Sequence, residues 1–389
     1  MGMSARWRST TEGCPLTARV CGRQGPERTA QRRSMLRLTA RRAHSGDASQ
    51  ITDLFEQEYD RYFGKFSDDE LLSESLESAT MSIEGGESPW GVVYVLQDGH
   101  GDVRGVSALK NNRSGWCEYS STVIQPEARG EGGYPALHRR RREAHKDYFP
   151  DTKGYTQTVS FSAKSQNGSL GAGFVPVGYS DAQFFEANKG DGRISTAYML
   201  DSNEEYTAEA EIHVPEGPIR DAASKAVENL NGCGVDIDRS FVSGGREPGK
   251  LEVQARVSPG IGQARLTALG DRRPGSETRE YEEVLGWIED QKEKPAIEWI
   301  GVEVDAAIPA AGALVQDTEM DFERYQPDGA RTPDGWRDLL GLQHRPQGPR
   351  NRELIEPVFE IVKKAGLPSS YREDLGEFSE TAVHRVEMG

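Results

Sequence analysis

The stretch VIQPEARGEGG, residues 123–133, decides how the surrounding chain folds. Residues 116–124 predict a β-strand that leads into it, and a helical pattern follows from Gly133 to Tyr148. Glycines in such a loop let backbone N–H groups approach a ligand closely, and the helix behind adds partial positive charge at its first turn. The stretch predicts a diphosphate-binding loop, with an ordinary tight turn as the alternative.

Two common phosphate motifs are excluded at this loop. No Gly-Lys-Ser/Thr follows the glycines, so it is not a Walker loop. The G-x-G-x-x-G of dinucleotide-binding folds is incomplete as well. The loop alone therefore does not name its ligand.

A second motif, SQNGSLGAGFVPVGY at residues 165–179, narrows the choice. A strand followed by R-G-x-G-x, and then Asn with Gly-Phe before another strand, resembles the GNAT N-acetyltransferase superfamily. The resemblance covers about 168 residues, and the opening 40–43 and Asp47 are similar to its usual start. It implies an α/β GNAT fold, a mixed and mostly antiparallel sheet flanked by helices.

The resemblance also implies a site for acetyl-CoA as co-substrate. Backbone N–H groups of the loop would bind the CoA diphosphate, and the edge of the preceding strand would pair with the pantetheine arm, which Asn167 would also reach. An amine acceptor would then attack the thioester directly. The implied cofactor-binding residues are Val123, Ile124, Arg129, Gly130, Glu131, Gly132, Gly133, Tyr134 and Asn167.

Two positions depart from the family pattern. Glu127 stands where many members have Gln or Arg, and Ser169 stands where many have a Tyr that protonates the leaving thiolate. Because a thiol has a pKa of roughly 8.5, loss of the Tyr need not abolish turnover. Glu118, on the strand that leads to the acetyl site, is the candidate catalytic base; the alternative is a solvent-facing strand residue.

The chain is long enough for more than one domain, at 389 residues. We expect a basic, disordered leader at 1–34, a GNAT domain at 35–202, a degenerate GNAT-like domain at 206–346 and a C-terminal helix and tail at 347–389. The leader is either a targeting segment or sequence upstream of a start at Met35. In the second half the only candidate loop, residues 259–262, predicts a hairpin turn instead of a phosphate site.

The distribution of charge along the chain restricts which partners the protein is expected to bind. The formal net charge is -16, yet residues 1–45 carry ten Arg and two Glu. The remainder is therefore strongly acidic, which disfavours nucleic acid and anionic membranes and suggests a salt-adapted, halophilic host. Without the apolar segment of a secretion signal we expect a cytoplasmic protein. No metal site is expected, since the seven His show no H-E-x-x-H spacing.

Three questions stay open at the level of sequence. The leading hypothesis is an active acyltransferase, and the alternative is a non-catalytic acyl-CoA-binding regulatory module. The acceptor amine is not identified, and a homodimer is possible. The basic run 139–142 on the helix either meets the CoA 3′-phosphate or forms a solvated helical face.

Overall fold

The computed structural model describes residues 37–47, 49–51, 53–55, 57, 92–111, 115–159, 163–185, 193–207, 209–243, 249–258, 262–271, 275–344 and 356–365. The expected leader, a helix expected at 67–78 and the C-terminal tail lie outside these residues. Within them, no helix is long and apolar enough to cross a membrane.

The first half of the described chain, residues 37–201, forms seven strands and two long helices. The strands are β1 (Thr39–Arg42), β2 (Val92–Gln97), β3 (Val103–Asn111), β4 (Trp116–Ile124), β5 (Lys153–Val159), β6 (Phe174–Phe185) and β7 (Arg193–Asp201). The helices are α1 (Gly133–Tyr148), between β4 and β5, and α2 (Ala163–Gly171), between β5 and β6. Residues 49–51, 53–55 and 57 are also helical.

The second half, residues 209–344, continues with β8 (Glu209–His213), β9 (Asp238–Val242), β10 (Lys250–Ser258), β11 (Gln263–Leu269), β12 (Glu277–Glu280), β13 (Trp299–Asp305), β14 (Asp321–Thr332) and β15 (Gly335–His344). Its helices are α3 (Pro218–Gly232), α4 (Tyr281–Lys292) and α5 (Pro309–Asp317), and α6 (Glu356–Lys364) follows.

One sheet runs through both halves, in the order β1-β2-β3-β4-β5-β7-β6-β14-β15-β13-β11-β10-β12. Most neighbours are antiparallel, but β4 pairs with β5, and β11 with β13, in parallel. The order β10-β11-β13-β15-β14 therefore repeats β3-β4-β5-β7-β6. The two halves join through β6 and β14, so neither of these strands is left as an open edge. The expected mixed α/β, mostly antiparallel fold is confirmed.

Alternating residues of the first-half strands pack on two different layers. On one face, residues such as Tyr94, Leu96 and Tyr119 meet Leu137 of α1. On the other face, alternate residues of β2 and β3 pack with Ile51, Leu54 and Phe55 of the first helical segment. A strand in the middle of such a sheet is buried on both sides, which explains the continuous apolar run of β2.

Asp98-Gly99-His100-Gly101 predicts a hairpin between two strands, and the antiparallel pair of β2 and β3 confirms it. The second predicted hairpin and the helix from Gly133 to Tyr148 are confirmed as well. In particular, β10 and β11 pair antiparallel with Ser258 opposite Gln263, as the predicted hairpin requires.

The sequence predicts a helix from Glu277 to Gln291 with Ser276 as its cap, and this was wrong at its start. Residues 277–280 form β12, because they pair with β10, and α4 begins only at Tyr281. Ser276 does not cap that helix; its hydroxyl donates to Glu252. Strand β9 was missed.

Candidate functional site

A gap between β4 and β5 is the centre of the candidate site. The two strands pair only from Trp116 to Glu118 on β4, against Lys153 to Tyr155 on β5. Just beyond, the Thr156 hydroxyl donates to the carbonyl oxygen of Tyr119 at 2.7 Å. From there to their ends the strands form no described ladder pair, so the facing edge of β4 has main-chain groups available for a ligand.

A β-bulge changes the direction of β4 inside this gap. Val106 of β3 pairs with Val123 and Ala108 pairs with Ser120, so one β3 residue faces two on β4. Ser121 has a φ of 51°, which a non-glycine residue adopts only where its surroundings impose it. Beyond the bulge Val123 packs with the first helical segment, while Ile124 packs towards α1. The bulge thus sets which main-chain groups of 121–124 face the gap.

The glycine loop follows directly. Residues 126–128 form a short 3-10 turn, and the Arg129 side chain donates from Nε to the carbonyl of Ile124 at 2.7 Å. Gly130 and Gly132 have φ values of 85° and 80°, and a Cβ on either would meet nothing within 4 Å. Both conditions, left-handed backbone and open space above it, are what close approach of a ligand to the main chain requires.

Helix α1 begins at Gly133, at the end of that loop. The first N–H groups of a helix have no intrahelical acceptor and are available to a ligand. Pro135, in the first turn, has no N–H, so no hydrogen bond is lost there. Gly133 itself serves packing, since a Cβ there would overlap the side chain of Leu96. The loop and helix end therefore fit a diphosphate: they offer donors, partial positive charge and space, with the Glu131 side chain half-exposed beside them.

Glu118 lies at the narrow end of the gap, in the last pair that β4 and β5 form. Its side chain is half-buried, and burial raises the pKa of its carboxyl, while Lys110 and a hydrogen bond with Tyr155 act in the opposite direction. A carboxyl with a raised pKa is a better proton acceptor near neutral pH. The position of Glu118 is thus compatible with the role of catalytic base. Its side chain is not freely solvated, as that of a solvent-facing strand residue would be.

Asn167 lies on α2, half-exposed, two residues before Ser169. Ser169 is buried, and its hydroxyl lies 3.1 Å from the hydroxyl of Tyr134 on α1. The predicted residues thus fall in two places: the loop and strand edge on one side of the gap, and Asn167 on the helix that follows β5.

The basic run on α1 does not form a uniform solvated face. Arg139 and Arg140 are exposed, and Arg142 lies 2.5 Å from Asp201. Arg141, however, is only 1% exposed and packs against the rings of Tyr119 and Tyr134. For Arg141 the expectation of a solvated face was wrong. The apolar spacing could have indicated this, since position 141 lies four residues after the core residue Leu137.

Histidines complete the polar layer under α1. His138 stacks against Tyr134 with ring centroids 6.2 Å apart, and burial, then Arg141, lowers its pKa to about 3. The Nδ1 atom of His145 forms a 3.0 Å hydrogen bond with the Tyr119 hydroxyl. Burial also lowers the pKa of His145. Both imidazoles are therefore neutral at physiological pH. Sequence reasoning did not single out either one.

The corresponding place in the second half lacks these features. Helix α4 follows β12 instead of a glycine loop. Its first turn carries Glu282 and Glu283, and the backbone N–H of Glu280 donates to the Glu283 carboxylate at 3.1 Å. Carboxylates at this helix end oppose a phosphate there.

Comparison with known proteins gives matches at the level of solved structures only. No family model and no curated protein matches the chain. A spermidine N-acetyltransferase from Vibrio cholerae, solved with CoA and spermine, is 24% identical over 42% of this chain and 96% of its own, with a TM-score of 0.33. A GNAT superfamily phosphinothricin acetyltransferase from Sinorhizobium meliloti, solved with acetyl-CoA, is 20% identical over 42% and 86%, with a TM-score of 0.35.

A putative acetyltransferase from Salmonella typhimurium, solved with acetyl-CoA, is 17% identical over 44% of this chain and 96% of its own, with a TM-score of 0.34. These three solved structures are acetyltransferases by their descriptions, one of them of the GNAT superfamily, and each matches less than half of this chain.

Proposed function

We propose that the first half is an acetyl-CoA-dependent N-acetyltransferase. The observation that carries this proposal is the run β4–glycine loop–α1 beside the gap between β4 and β5, with Gly130 and Gly132 left-handed and open. A diphosphate held at this loop directs the rest of the nucleotide's arm along the free edge of β4. A pantetheine arm has amide groups that suit such an edge.

In the proposed reaction the CoA supplies an activated thioester, and the chain supplies position and proton transfer. Backbone N–H groups of 129–134 hold the diphosphate, and main-chain groups at Val123 and Ile124 orient the arm. A backbone N–H near the bulge would polarise the thioester carbonyl. Glu118 would accept the proton that the attacking amine loses.

The domain boundaries at about 202 and 206 remain part of this proposal. The second half would be non-catalytic and would shape the substrate cleft, since its equivalent helix end carries carboxylates. Whether the protein is a homodimer, and whether it is cytoplasmic, also remain expectations from the sequence.

Calorimetry with acetyl-CoA and a thiol-release screen over amines, run at high salt, test the proposal together. Because one similar structure contains spermine, spermidine and spermine are the first amines to try, followed by amino acids. We expect one acetyl-CoA bound per chain, and CoA release that depends on an amine. Binding without amine-dependent release would favour the regulatory module instead, and no binding would refute both.

A further inference from the structure

The hydroxyls of Tyr134 and Ser169 connect the two helices that flank the gap. Tyr134 lies in the first turn of α1, directly after the glycine loop, and Ser169 lies near the end of α2. Their oxygen atoms are 3.1 Å apart. Gly168 lies beside the phenol ring: a Cβ there would be 3.7 Å from the ring, an ordinary van der Waals contact. Ser169 is buried and so fixes the position of a half-buried phenol.

Behind this pair lies a buried cation without an anionic partner among the described residues. The guanidinium carbon of Arg141 lies 5.8 Å from the centre of the Tyr134 ring, and Nη1 donates to the Thr122 hydroxyl at 3.1 Å. In the part of the chain that the structure describes, no group is within hydrogen-bonding geometry of its Nε or Nη2 atom. Burial lowers the pKa of Arg141, and the groups that oppose this shift are the hydroxyls of Tyr134 and Tyr119, then the Cys117 thiol.

Burying a charge that lacks a counter-ion destabilises the folded state. Such a charge is expected where negative charge forms during function. His138 on α1, which stacks on the Tyr134 ring, is neutral and adds no charge there. Arg141 is thus a charged group that packs directly against the Tyr134 ring.

The position relative to β4 links this pair to the reaction. Thr122, which binds Arg141, precedes the strand edge assigned to the CoA arm. Cys117 and Tyr119 face α1, so Glu118 between them faces the opposite side of the sheet. A proton acceptor and a proton donor would therefore approach the gap from opposite faces.

Resting on the proposed function, we propose that the Tyr134 hydroxyl is the group that protonates the CoA sulfur as it leaves, and that Arg141 stabilises the phenolate so formed. The amine nitrogen forms a bond to the acetyl carbon, and the C–S bond breaks with its electron pair on sulfur. Sulfur takes the Tyr134 proton, and Glu118 takes the proton lost by nitrogen. Solvent returns that proton to Tyr134, with Ser169 holding the oxygen in place.

The test compares Tyr134→Phe with Tyr148→Phe in the full chain. Tyr148 lies on the same helix and is 52% exposed, so its substitution controls for loss of a phenol on α1. Thiol release from acetyl-CoA is measured with spermidine, and with water as the only acceptor, between pH 6 and 10. Acetyl-CoA affinity is measured by calorimetry, and folding by melting temperature.

We expect Tyr134→Phe to lower kcat about 100-fold at pH 7 while the Kd for acetyl-CoA changes less than about threefold. The deficit should shrink above pH ~9, where a thiolate leaves without a proton. Equal kcat values for Tyr134→Phe and wild type, with acetyl-CoA bound by both, would overturn this inference alone. Absence of acetyl-CoA binding by wild type would overturn the proposed function as well.

If Tyr134→Phe does not fold, Ser169→Ala decides the matter. It should lower kcat about three- to tenfold with the Kd for acetyl-CoA unchanged, because the phenol loses its partner but not its proton. An unchanged kcat in a folded Ser169→Ala protein would then count against the proposal.

Discussion

The ammonium of Lys153 on β5 lies 2.8 Å from the carboxylate of Asp328 on β14, across the junction of the two halves. The Lys153 side chain is 9% exposed and that of Asp328 2%. The same carboxylate accepts the backbone N–H of Thr207, in the segment that connects the halves. Nearby, the Trp116 indole donates to the carbonyls of Asp328 and Gly329.

Lys153→Met should therefore destabilise the whole chain by about 3–5 kcal/mol, because it leaves a buried carboxylate without its cation. Lys250→Met is the matched control, since Lys250 also lies 2.8 Å from a carboxylate, that of Glu280, but at the surface. Urea unfolding measures both. Equal midpoints for the two variants would show that the Lys153 pair does not stabilise the junction.

The join between β6 and β14 depends on the absence of a side chain at Gly178. Gly178 pairs with Arg324, and a Cβ at position 178 would overlap the main-chain carbonyl of Glu323. Its φ is not in the left-handed region, so the constraint is steric only. Gly178→Ala should lower stability by about 1–3 kcal/mol, the usual cost of overpacking. Gly286→Ala on α4 is the control and should not lower stability, because a Cβ there has no neighbour within 4 Å. Thermal unfolding distinguishes them.

The diphosphate assignment predicts that Gly132→Asp removes acetyl-CoA binding. A carboxylate there would occupy the open space above the loop and repel phosphate. Each charge-assisted hydrogen bond is worth about 1.5–3 kcal/mol, so losing two weakens binding a hundredfold or more. Calorimetry measures the Kd.

Gly234→Asp is the matched control for backbone strain. Gly234 has a φ of 86°, close to the 80° of Gly132, and a Cβ there also meets nothing within 4 Å. Both substitutions place a non-glycine residue in the left-handed backbone region and should be strained to a similar degree. Only Gly132→Asp should therefore lose acetyl-CoA binding. Normal acetyl-CoA binding by a folded Gly132→Asp protein would refute the diphosphate site.

Glu118→Gln tests the base assignment through pH. Burial raises the pKa of the Glu118 carboxyl, so the acidic limb of kcat/KM should lie above the ordinary glutamate value of about 4.3. The variant should lose about 100-fold in activity and lose that limb, with acetyl-CoA affinity retained. Glu143→Gln, exposed on α1, serves as control. A limb that persists in Glu118→Gln would assign it to another group.

Glu204 predicts a pH dependence of stability. Burial, and then the Asp201 carboxylate, raise the pKa of Glu204 to about 7. The folded state therefore keeps a proton that the unfolded chain releases near pH 4.3, so the contribution of Glu204 to stability falls as pH rises from about 4.3 to 7. Glu204→Gln should match wild type near pH 4 and exceed it at pH 8, by on the order of 1 kcal/mol.

Urea unfolding at the two pH values measures this difference. Glu205→Gln, at the exposed neighbouring position, should show no such change with pH. The same offset for Glu204→Gln at both pH values would mean that its carboxyl titrates normally in the folded protein.

Local sequence determined the elements that carry the proposed ligand. The glycines at 130 and 132 fix the loop, because left-handed backbone and close approach are properties of those residues alone. The apolar periodicity of the sequence also predicted α1 and the hairpin of β2 and β3, because both elements depend on residues that are close in sequence. The prediction failed at 277–280, where pairing with β10 overrides a helical pattern.

Only the tertiary structure decided what these elements bring together. The 3.1 Å contact of Tyr134 with Ser169 joins residues 35 positions apart, and no spacing rule predicts it. The burial of Arg141 depends on the Tyr119 and Thr122 side chains of a strand beneath the helix. The junction of β6 with β14 likewise depends on which backbone can approach Gly178. Helix and turn signals are local free energies, whereas partners, burial and strand neighbours are set by the packing of the whole chain.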